Sequence, residues 1–159
     1  MNEPSMVETR QRMEESEEFR FEDLIDPEEW VATQNKIARG CKMAAHTFDR
    51  NGVNIVAASN YTNYVITFQA TTEGARLCRQ SLVEAANRAD EIRGAFLYEC
   101  RCGLIKVSVP CYVGRYRLCS VGGGQVLEKE ASPAEVRALA MEIGADPKAL
   151  IEYASEVQV

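Results

Sequence analysis

The amino-acid sequence predicts an α+β domain in which a five-stranded antiparallel sheet carries helices over one face and helical extensions at both ends. Three observations support this prediction. Residues 96–121 alternate apolar and polar side chains with a period of two, as half-buried strands do. Residues 71–89 instead repeat apolar side chains every three or four positions, as amphipathic helices do. Two further helix starts, Ser132-Pro133 and Asp146-Pro147, follow the strands.

The composition is that of one globular domain. Of the 159 residues, 46% are hydrophobic and 26% are charged, which permits a core of ordinary size. Residues 1–19 are polar and mostly acidic, and we predict a flexible tail or linker there. The folded domain is predicted to cover residues 20–155.

Charge and hydropathy exclude several classes of partner. The formal net charge of -6 leaves no basic surface for direct binding of nucleic acid or of an anionic membrane. No segment reaches the ~18 uncharged apolar residues that a membrane span needs. The acidic start is unlike a signal peptide, so the sequence predicts a cytoplasmic protein whose cysteines stay reduced.

The folded part is predicted to open with a helix and a hairpin. Residues 26–29 (Asp-Pro-Glu-Glu) combine an N-cap, a proline in the first turn and acidic side chains at the positive end of the helix dipole. Gly40 is expected to end this helix. Residues 41–48 then alternate as a strand, and Asn51-Gly52 favours a tight turn into a return strand at 53–57.

Two helices are predicted between the hairpin and the later strands. A short helix ends near Phe68, and a longer one is capped by Thr71 or Thr72. In the longer helix, Cys78 and Leu82 belong to the apolar stripe. We therefore expect the Cys78 thiol to lie on the buried face.

The later strands carry four of the six cysteines. We expect Cys100 and Cys102 to point inward from one strand face, together with Tyr98. In the next strand, Ile105, Val107, Val109, Cys111 and Val113 alternate with Lys106, Ser108 and Tyr112, and the charged face is expected to be the solvated one. A third strand is predicted at residues 116–121.

A glycine triplet, residues 122–124, follows the last predicted strand. It lacks the lysine and the hydroxyl residue that a phosphate-binding loop requires. We expect a bulge there, at which a helix or a ligand approaches the backbone. The order of the elements, two strands, several helices and then three strands, is that of a PAS-like sensory fold, whose sheet encloses a small pocket.

The sequence resembles the PocR sensory domain family over roughly residues 20–155. The matching segments are 21–26 (FEDLID), 49–52 (DRNG), 59–62 (SNYT), 74–81 (GARLCRQS), 98–100 (YEC), 103–104 (GL), 109–110 (VP) and 123–127 (GGQVL). The resemblance implies a PAS-like module of prokaryotic signalling and transcription regulators that senses small hydrocarbon derivatives such as short diols. It also implies an output domain, such as a helix-turn-helix, a kinase or a chemoreceptor, that this chain does not contain.

The chain departs from the family pattern at several positions. Val65 stands where the family tends to have cysteine, Arg101 where it has histidine, and Lys106 where it has aspartate. The matched cysteines Cys78 and Cys100 remain. If the family residues form a metal or redox cluster, this chain has lost part of it, although Cys102 could replace a lost ligand.

A pocket for a small organic ligand needs mostly apolar walls and a few polar groups that fix its orientation. The predicted ligand-binding residues are Tyr61, Tyr64, Phe68, Cys78, Tyr98, Cys100 and Gln125. Each of them also has an ordinary interpretation, because tyrosines and free cysteines are common core residues.

The same cysteines allow a second interpretation. Cys78, Cys100 and Cys102 could bind a metal or an iron–sulfur cluster, since thiolates prefer soft metals. No C-x2-C pair favours a zinc ribbon. His46, the single histidine, is interpreted as a surface or strand residue, and nothing in the sequence places it beside a thiol as a catalytic base would require.

These observations predict a non-enzymatic sensing domain without a cofactor. It is expected to bind a short alcohol or diol and to signal through its terminal helices, as a homodimer, to a partner outside this chain. The alternatives are a cysteine-based metal or redox sensor and an interaction module with an empty pocket.

Overall fold

A computed structural model describes residues 19–159. The predicted acidic tail therefore lies almost entirely outside the described residues. The helices in this part of the chain are α1 Phe21–Leu24, α2 Pro27–Cys41, α3 Asn63–Gln69, α4 Thr72–Glu91, α5 Pro133–Ile143 and α6 Pro147–Ala154. The strands are β1 Ala44–Phe48, β2 Phe96–Glu99, β3 Ile105–Val113 and β4 Tyr116–Val126. Between residues 19 and 159, no helix is long and apolar enough to cross a membrane.

The helix starts agree with the sequence prediction. The Asp26 carboxylate accepts the backbone N–H groups of Glu28 and Glu29 at 2.8 and 3.3 Å. The Thr71 hydroxyl accepts the N–H of Gly74 at 3.0 Å at the start of α4. Such a cap stabilises a helix by about 1 kcal/mol. The predicted end of α2 is wrong by one residue, because the helix runs to Cys41 and ends at a left-handed Lys42.

The sheet has four antiparallel strands in the order β1-β4-β3-β2, and the predicted fifth strand is absent. The segment after the hairpin turn forms only isolated bridges, at Asn54 and Ser59. The Asp49 carboxylate explains the difference, because it accepts the backbone N–H of Val53 at 2.9 Å. A regular ladder would need that N–H. The first strand is also shorter than predicted, since β1 begins at Ala44.

The inner face of the sheet, meaning the face that α4 covers, is the opposite of the one predicted for β3. Lys106 and Ser108 are buried, whereas Val109 is 38% exposed. On β4, Gly124 pairs with Lys106 and Gly122 pairs with Ser108. Because these glycines have no side chains, the inner face has room for the lysine stem and for neighbouring side chains.

Helices cover both faces of the sheet, which corrects the prediction of a single covered face. On the outer face, the indole N–H of Trp30 in α2 donates to the Thr47 hydroxyl at 2.7 Å. The Thr47 hydroxyl in turn donates to the side-chain amide oxygen of Gln34 at 2.8 Å. The main core lies on the inner face, where α3 to α6 bury Phe68, Leu104 and Leu150.

Candidate functional site

A cavity of about 240 Å³ lies between the inner face of the sheet and α4. Its base is formed by the buried side chains of His46, Cys78 and Lys106, and its rim by the exposed Asn54 and Arg79. Typical pockets for drug-sized ligands measure roughly 300–1,000 Å³, so this cavity suits a ligand of only a few heavy atoms.

Several larger clefts lie elsewhere on the described part of the chain, with volumes between about 340 and 750 Å³. One of about 490 Å³ lies beside α1 and is lined by exposed charged residues such as Arg20 and Arg50. Another of about 340 Å³ is an apolar groove on the outer face of the sheet, lined by Ile37 and Val107. We take the smaller cavity as the candidate site because buried polar side chains converge on it.

His46 reaches the cavity because β4 carries glycine opposite it. A Cβ atom on Gly122 would lie 1.9 Å from the His46 Nε2 atom, so any other residue at this position would displace the imidazole. The imidazole Nδ1 shares a hydrogen bond with the Tyr61 hydroxyl. Burial, together with the charge of Lys106, lowers the pKa of His46 to about 3. The imidazole is therefore neutral at pH 7.

Among residues 19–159, three buried side-chain polar atoms have no hydrogen-bond partner: His46 Nε2, Ser108 Oγ and Gln125 Nε2. His46 and Ser108 flank Gly122 in one row of the sheet. The side-chain oxygen of Gln125, in contrast, already accepts two hydrogen bonds, from the backbone N–H and from the hydroxyl of Thr62, at 3.0 and 3.1 Å. An unpaired buried polar group costs about 1–3 kcal/mol, so a ligand that pairs with such a group recovers part of that cost.

A thiol cluster, consisting of Cys78, Cys100 and Cys102, lies beside the cavity. Cys78 comes from α4, and the other two come from the turn between β2 and β3. The Sγ atoms of Cys100 and Cys102 are 2.9 Å apart, and Cys102 also forms a hydrogen bond with Cys78. The prediction that Cys100 and Cys102 share a strand face is wrong, since β2 ends at Glu99. The left-handed Gly103 (φ 79°) lets the turn bring both thiols inside.

Lys106 is the charged group of this site. It is 5% exposed, and none of the salt bridges between residues 19 and 159 involves it. Burial by itself lowers the pKa of Lys106, but attraction to the thiol cluster outweighs burial and raises it. The side chain is therefore an ammonium, and the thiols supply its countercharge.

The hydrogen bonds within the cluster decide where that countercharge lies. The hydrogen bond from Cys102 lowers the pKa of Cys100 and of Cys78 against the opposing effect of burial, and Lys106 lowers both further. The same bonds raise the pKa of Cys102. Cys102 therefore keeps its proton and acts as the hydrogen-bond donor of the cluster. The negative charge of the cluster lies on Cys100 or Cys78.

A comparison with models of known protein families shows the family to which this chain belongs. The family model described as "PocR: Sensory domain found in PocR" matches residues 23–159. The chain belongs to the PocR sensory domain family. This match confirms the resemblance seen in the sequence, and it indicates a sensory role. No curated protein and no solved structure matches the chain.

The PocR domain brings together some of the predicted site residues and separates others. Tyr61 and Cys78 line the cavity. Tyr98 pairs with Lys106 across β2 and β3, and burial raises the pKa of its hydroxyl, which therefore stays protonated.

The remaining predicted residues lie behind the cavity wall or beside it. Cys100 lies behind Cys78 in the thiol cluster. Tyr64 donates its hydroxyl to the Cys102 carbonyl at 2.9 Å, and Phe68 is completely buried in the core. Gln125 holds the segment before α3 through Thr62.

The sequence did not indicate that His46 and Lys106 line the cavity, or that Ser108 is buried on the same face of the sheet. The departure from the family pattern at Lys106 was a signal, because a cation in place of aspartate changes the charge of a site. His46 carried no local signal, since its position depends on the glycine of a strand more than 70 residues away. The expected bulge is present on β4 directly after the glycine triplet, where Gln125 is the extra residue between the pairs Gly124–Lys106 and Val126–Ile105. The group that approaches the triplet is the His46 ring, rather than a helix or a ligand.

Within the described part of the PocR domain, no group of three or more histidine, cysteine or acidic side chains is arranged to hold a metal ion. The Lys106 ammonium beside the thiol cluster would also repel a metal cation.

Proposed function

We propose that this PocR domain is a non-enzymatic sensing domain that binds a short alcohol or diol in the cavity between α4 and the sheet. The observation that carries the proposal is a cavity of about 240 Å³ whose wall holds two buried polar side chains, the neutral His46, whose Nε2 has no hydrogen-bond partner, and the Lys106 ammonium. The family match supports sensing of a small molecule, and the ligand class is our own inference.

The chemistry of the walls fits a hydroxyl group. A hydroxyl both donates and accepts, and the neutral His46 imidazole offers one of these functions at Nε2 while Lys106 donates through its ammonium. Val53, Ala75 and Leu82 supply apolar surface for a short carbon chain. A ligand with one or two hydroxyls on such a chain uses both kinds of wall.

The affinity of so small a ligand has an upper limit. At about 1.5 kcal/mol per heavy atom, a diol of five heavy atoms gains at most about 7.5 kcal/mol, which corresponds to a Kd of a few micromolar. Binding in the micromolar to millimolar range is therefore expected.

Signalling is proposed to run through the terminal helices of a PAS-like homodimer. Helices α5 and α6 pack in the same core as the cavity wall, because Ala140 and Leu150 belong to the cluster that contains Cys78. The end of the chain is tied to the sheet, since the N–H of Leu127 donates to the Gln158 carbonyl at 2.8 Å. A ligand that shifts α4 can thus move α5 and α6, and so signal to an output domain or partner of a prokaryotic transcription regulator.

Thermal denaturation and calorimetry with ethanediol, 1,2-propanediol, short alcohols and short amines test this proposal. We expect an alcohol or diol to raise the Tm of the wild type. At a ligand concentration of one hundred times Kd, the free energy of unfolding should increase by about 2.7 kcal/mol. The variant His46→Phe should lose this response, while Cys41→Ser, at an exposed thiol outside the cavity, should keep it. The absence of any stabilisation by alcohols and diols would contradict the proposed ligand class.

A second candidate function is a cysteine-based metal or redox sensor. The 2.9 Å contact between the Cys100 and Cys102 thiols favours it, since oxidation would need little movement. Elemental analysis and a visible spectrum of anaerobically purified protein separate the candidates. Stoichiometric metal or colour would support the metal sensor, and a reversible Cys100–Cys102 disulfide would support the redox sensor.

A further inference from the structure

We infer that the same cavity captures a short aliphatic aldehyde, by reversible addition of the Cys78 thiol to the carbonyl carbon. This inference rests on the proposed function for the position of the cavity, and it adds a covalent ligand class. It follows from two groups that share the cavity wall: a thiol that acts as a nucleophile, and an ammonium that forms no salt bridge within the described part of the chain.

The nucleophile is the member of the thiol cluster that reaches the cavity. Cys78 lines its wall, whereas Cys100 and Cys102 lie behind it. The Cys102 thiol and the Gln69 side chain both form hydrogen bonds with the Cys78 sulfur. These bonds stabilise the thiolate, which is the form of cysteine that attacks electrophiles.

The oxygen of the aldehyde also finds a partner. Lys106 lines the cavity, is 5% exposed and takes part in none of the salt bridges between residues 19 and 159. Its ammonium can donate to the carbonyl oxygen and to the alkoxide that forms from it. Such a preorganised donor in a buried site stabilises developing negative charge.

The addition balances without a further reactant. The Cys78 sulfur forms a bond to the carbonyl carbon, and the π pair of the C=O bond moves to the oxygen. That oxygen takes a proton from the Lys106 ammonium, so a thiolate and an ammonium become a neutral hemithioacetal and a neutral amine. Reversal of the same steps releases the aldehyde, which a sensor requires.

An alcohol, in contrast, has no electrophilic carbon and leaves the thiolate unused. The size of the cavity favours an aldehyde over a ketone, because one substituent on the carbonyl carbon is then a hydrogen. The inference therefore commits to aldehydes of two to a few carbon atoms.

Carbon-13 NMR of the full chain with [1-13C]acetaldehyde tests the inference. We expect a protein-bound hemithioacetal signal, distinct from the free aldehyde and its hydrate, in the wild type and in Cys41→Ser. The signal should be absent in Cys78→Ala and weaker in Lys106→Met. Circular dichroism checks that each variant is folded.

A second measurement uses the wild type alone. Acetaldehyde should slow the alkylation of Cys78 by iodoacetamide, mapped by mass spectrometry, and leave the rate at Cys41 unchanged. No adduct in the wild type, or an adduct that survives Cys78→Ala, would overturn the inference. If 1,2-propanediol still raises the Tm in that case, the aldehyde inference fails and the proposed function stands; if neither compound binds, both fail.

Discussion

The thiol cluster and a second pair of cysteines on the outer face of the sheet show what a buried charge does to a thiol. Cys111 on β3 and Cys119 on β4 lie directly opposite each other in the antiparallel register. Cys111 is half-buried, and Cys119 packs against Phe21. We call these two residues the outer thiol pair.

Both groups of thiols use hydrogen bonds between sulfur atoms, but only the inner one has a cation. The hydrogen bond from Cys119 lowers the pKa of Cys111, burial opposes it, and no charged group contributes. In the thiol cluster, Lys106 adds to the same kind of hydrogen bond. In both groups the hydrogen bond between sulfur atoms is the largest cause of the lowered pKa, and the pKa of Cys78 and that of Cys111 are both lowered to about 7. The cation therefore distinguishes the thiol cluster less by its effect on the pKa than by placing an ammonium donor beside the sulfur atoms, a donor that could also bind a ligand.

The largest expected effect is a loss of folding stability at low pH, and it comes from the neutral His46, which lies with Lys106 on the inner face. Burial lowers its pKa from 6.5 to about 3, so the unfolded chain binds a proton that the folded domain does not. The stability from this group is complete above pH 6.5 and is lost as the pH falls toward 3. At about 1.36 kcal/mol per pH unit, lowering the pH from about 6.5 to about 4.5 should cost about 2–3 kcal/mol.

Urea denaturation at both pH values measures this loss in the wild type and in His46→Phe, which cannot titrate. The difference between the two proteins isolates His46 from the carboxylates that both contain. Equal losses in both would show that His46 is protonated, or exposed, in the folded domain.

The next effect compares neighbouring glycines whose missing side chains would point to opposite faces of the sheet. A Cβ on Gly122 would meet His46 Nε2 at 1.9 Å, whereas a Cβ on Gly123 would meet the Ala44 carbonyl at 3.4 Å. We expect Gly122→Ala to destabilise the domain by about 1–3 kcal/mol and to abolish ligand binding, as overpacked cores do. Gly123→Ala should cost less and keep binding. Urea denaturation of the matched pair checks this, and equal costs would contradict the packing of His46 over Gly122.

A smaller effect is expected from oxidation of the outer thiol pair. Mild treatment with diamide should join Cys111 to Cys119, because their thiols are in contact across adjacent strands. The short loop that this disulfide closes limits the gain in stability to at most about 2.5 kcal/mol, from which any strain in the folded domain is subtracted. Mass mapping of the disulfide, with Cys111→Ser as the control, tests the prediction. Faster oxidation of Cys100 and Cys102 would reverse the comparison.

The smallest effect concerns the charge of Lys106 itself. Removal of the ammonium in Lys106→Met should raise the pKa of Cys78 from about 7 by about one unit, and so slow its alkylation about fivefold near neutral pH. The alkylation of Cys111 should not change. The pH dependence of alkylation by iodoacetamide, mapped by mass spectrometry, gives both rates, and Lys148→Met at an exposed lysine is the matched control. An equal change at Cys111 would show a general loss of structure rather than a loss of charge.

Much of the fold was determined by the sequence alone, because helix starts and strand periods depend on neighbouring residues. The caps at Asp26, Thr71, Ser132 and Asp146 are present as predicted. The buried position of Cys78 and the membership in the PocR family were also evident in the sequence, since a helical stripe and a spaced set of segments need no tertiary information.

Only the tertiary structure decided which face of β3 lies inside. A period of two shows which residues share a face, but it is symmetric and does not tell which face meets the helices. Lys106 lies on the inner face opposite a glycine of the neighbouring strand, which leaves room for its side chain. The turn at Gly103 places Cys100 and Cys102 outside the strand, and the absence of a side chain at Gly122 leaves room for the His46 ring. Local patterns placed Tyr61 and Cys78 at the candidate site, but the positions of His46 and Lys106 depend on these long-range contacts, and therefore no local pattern could predict them.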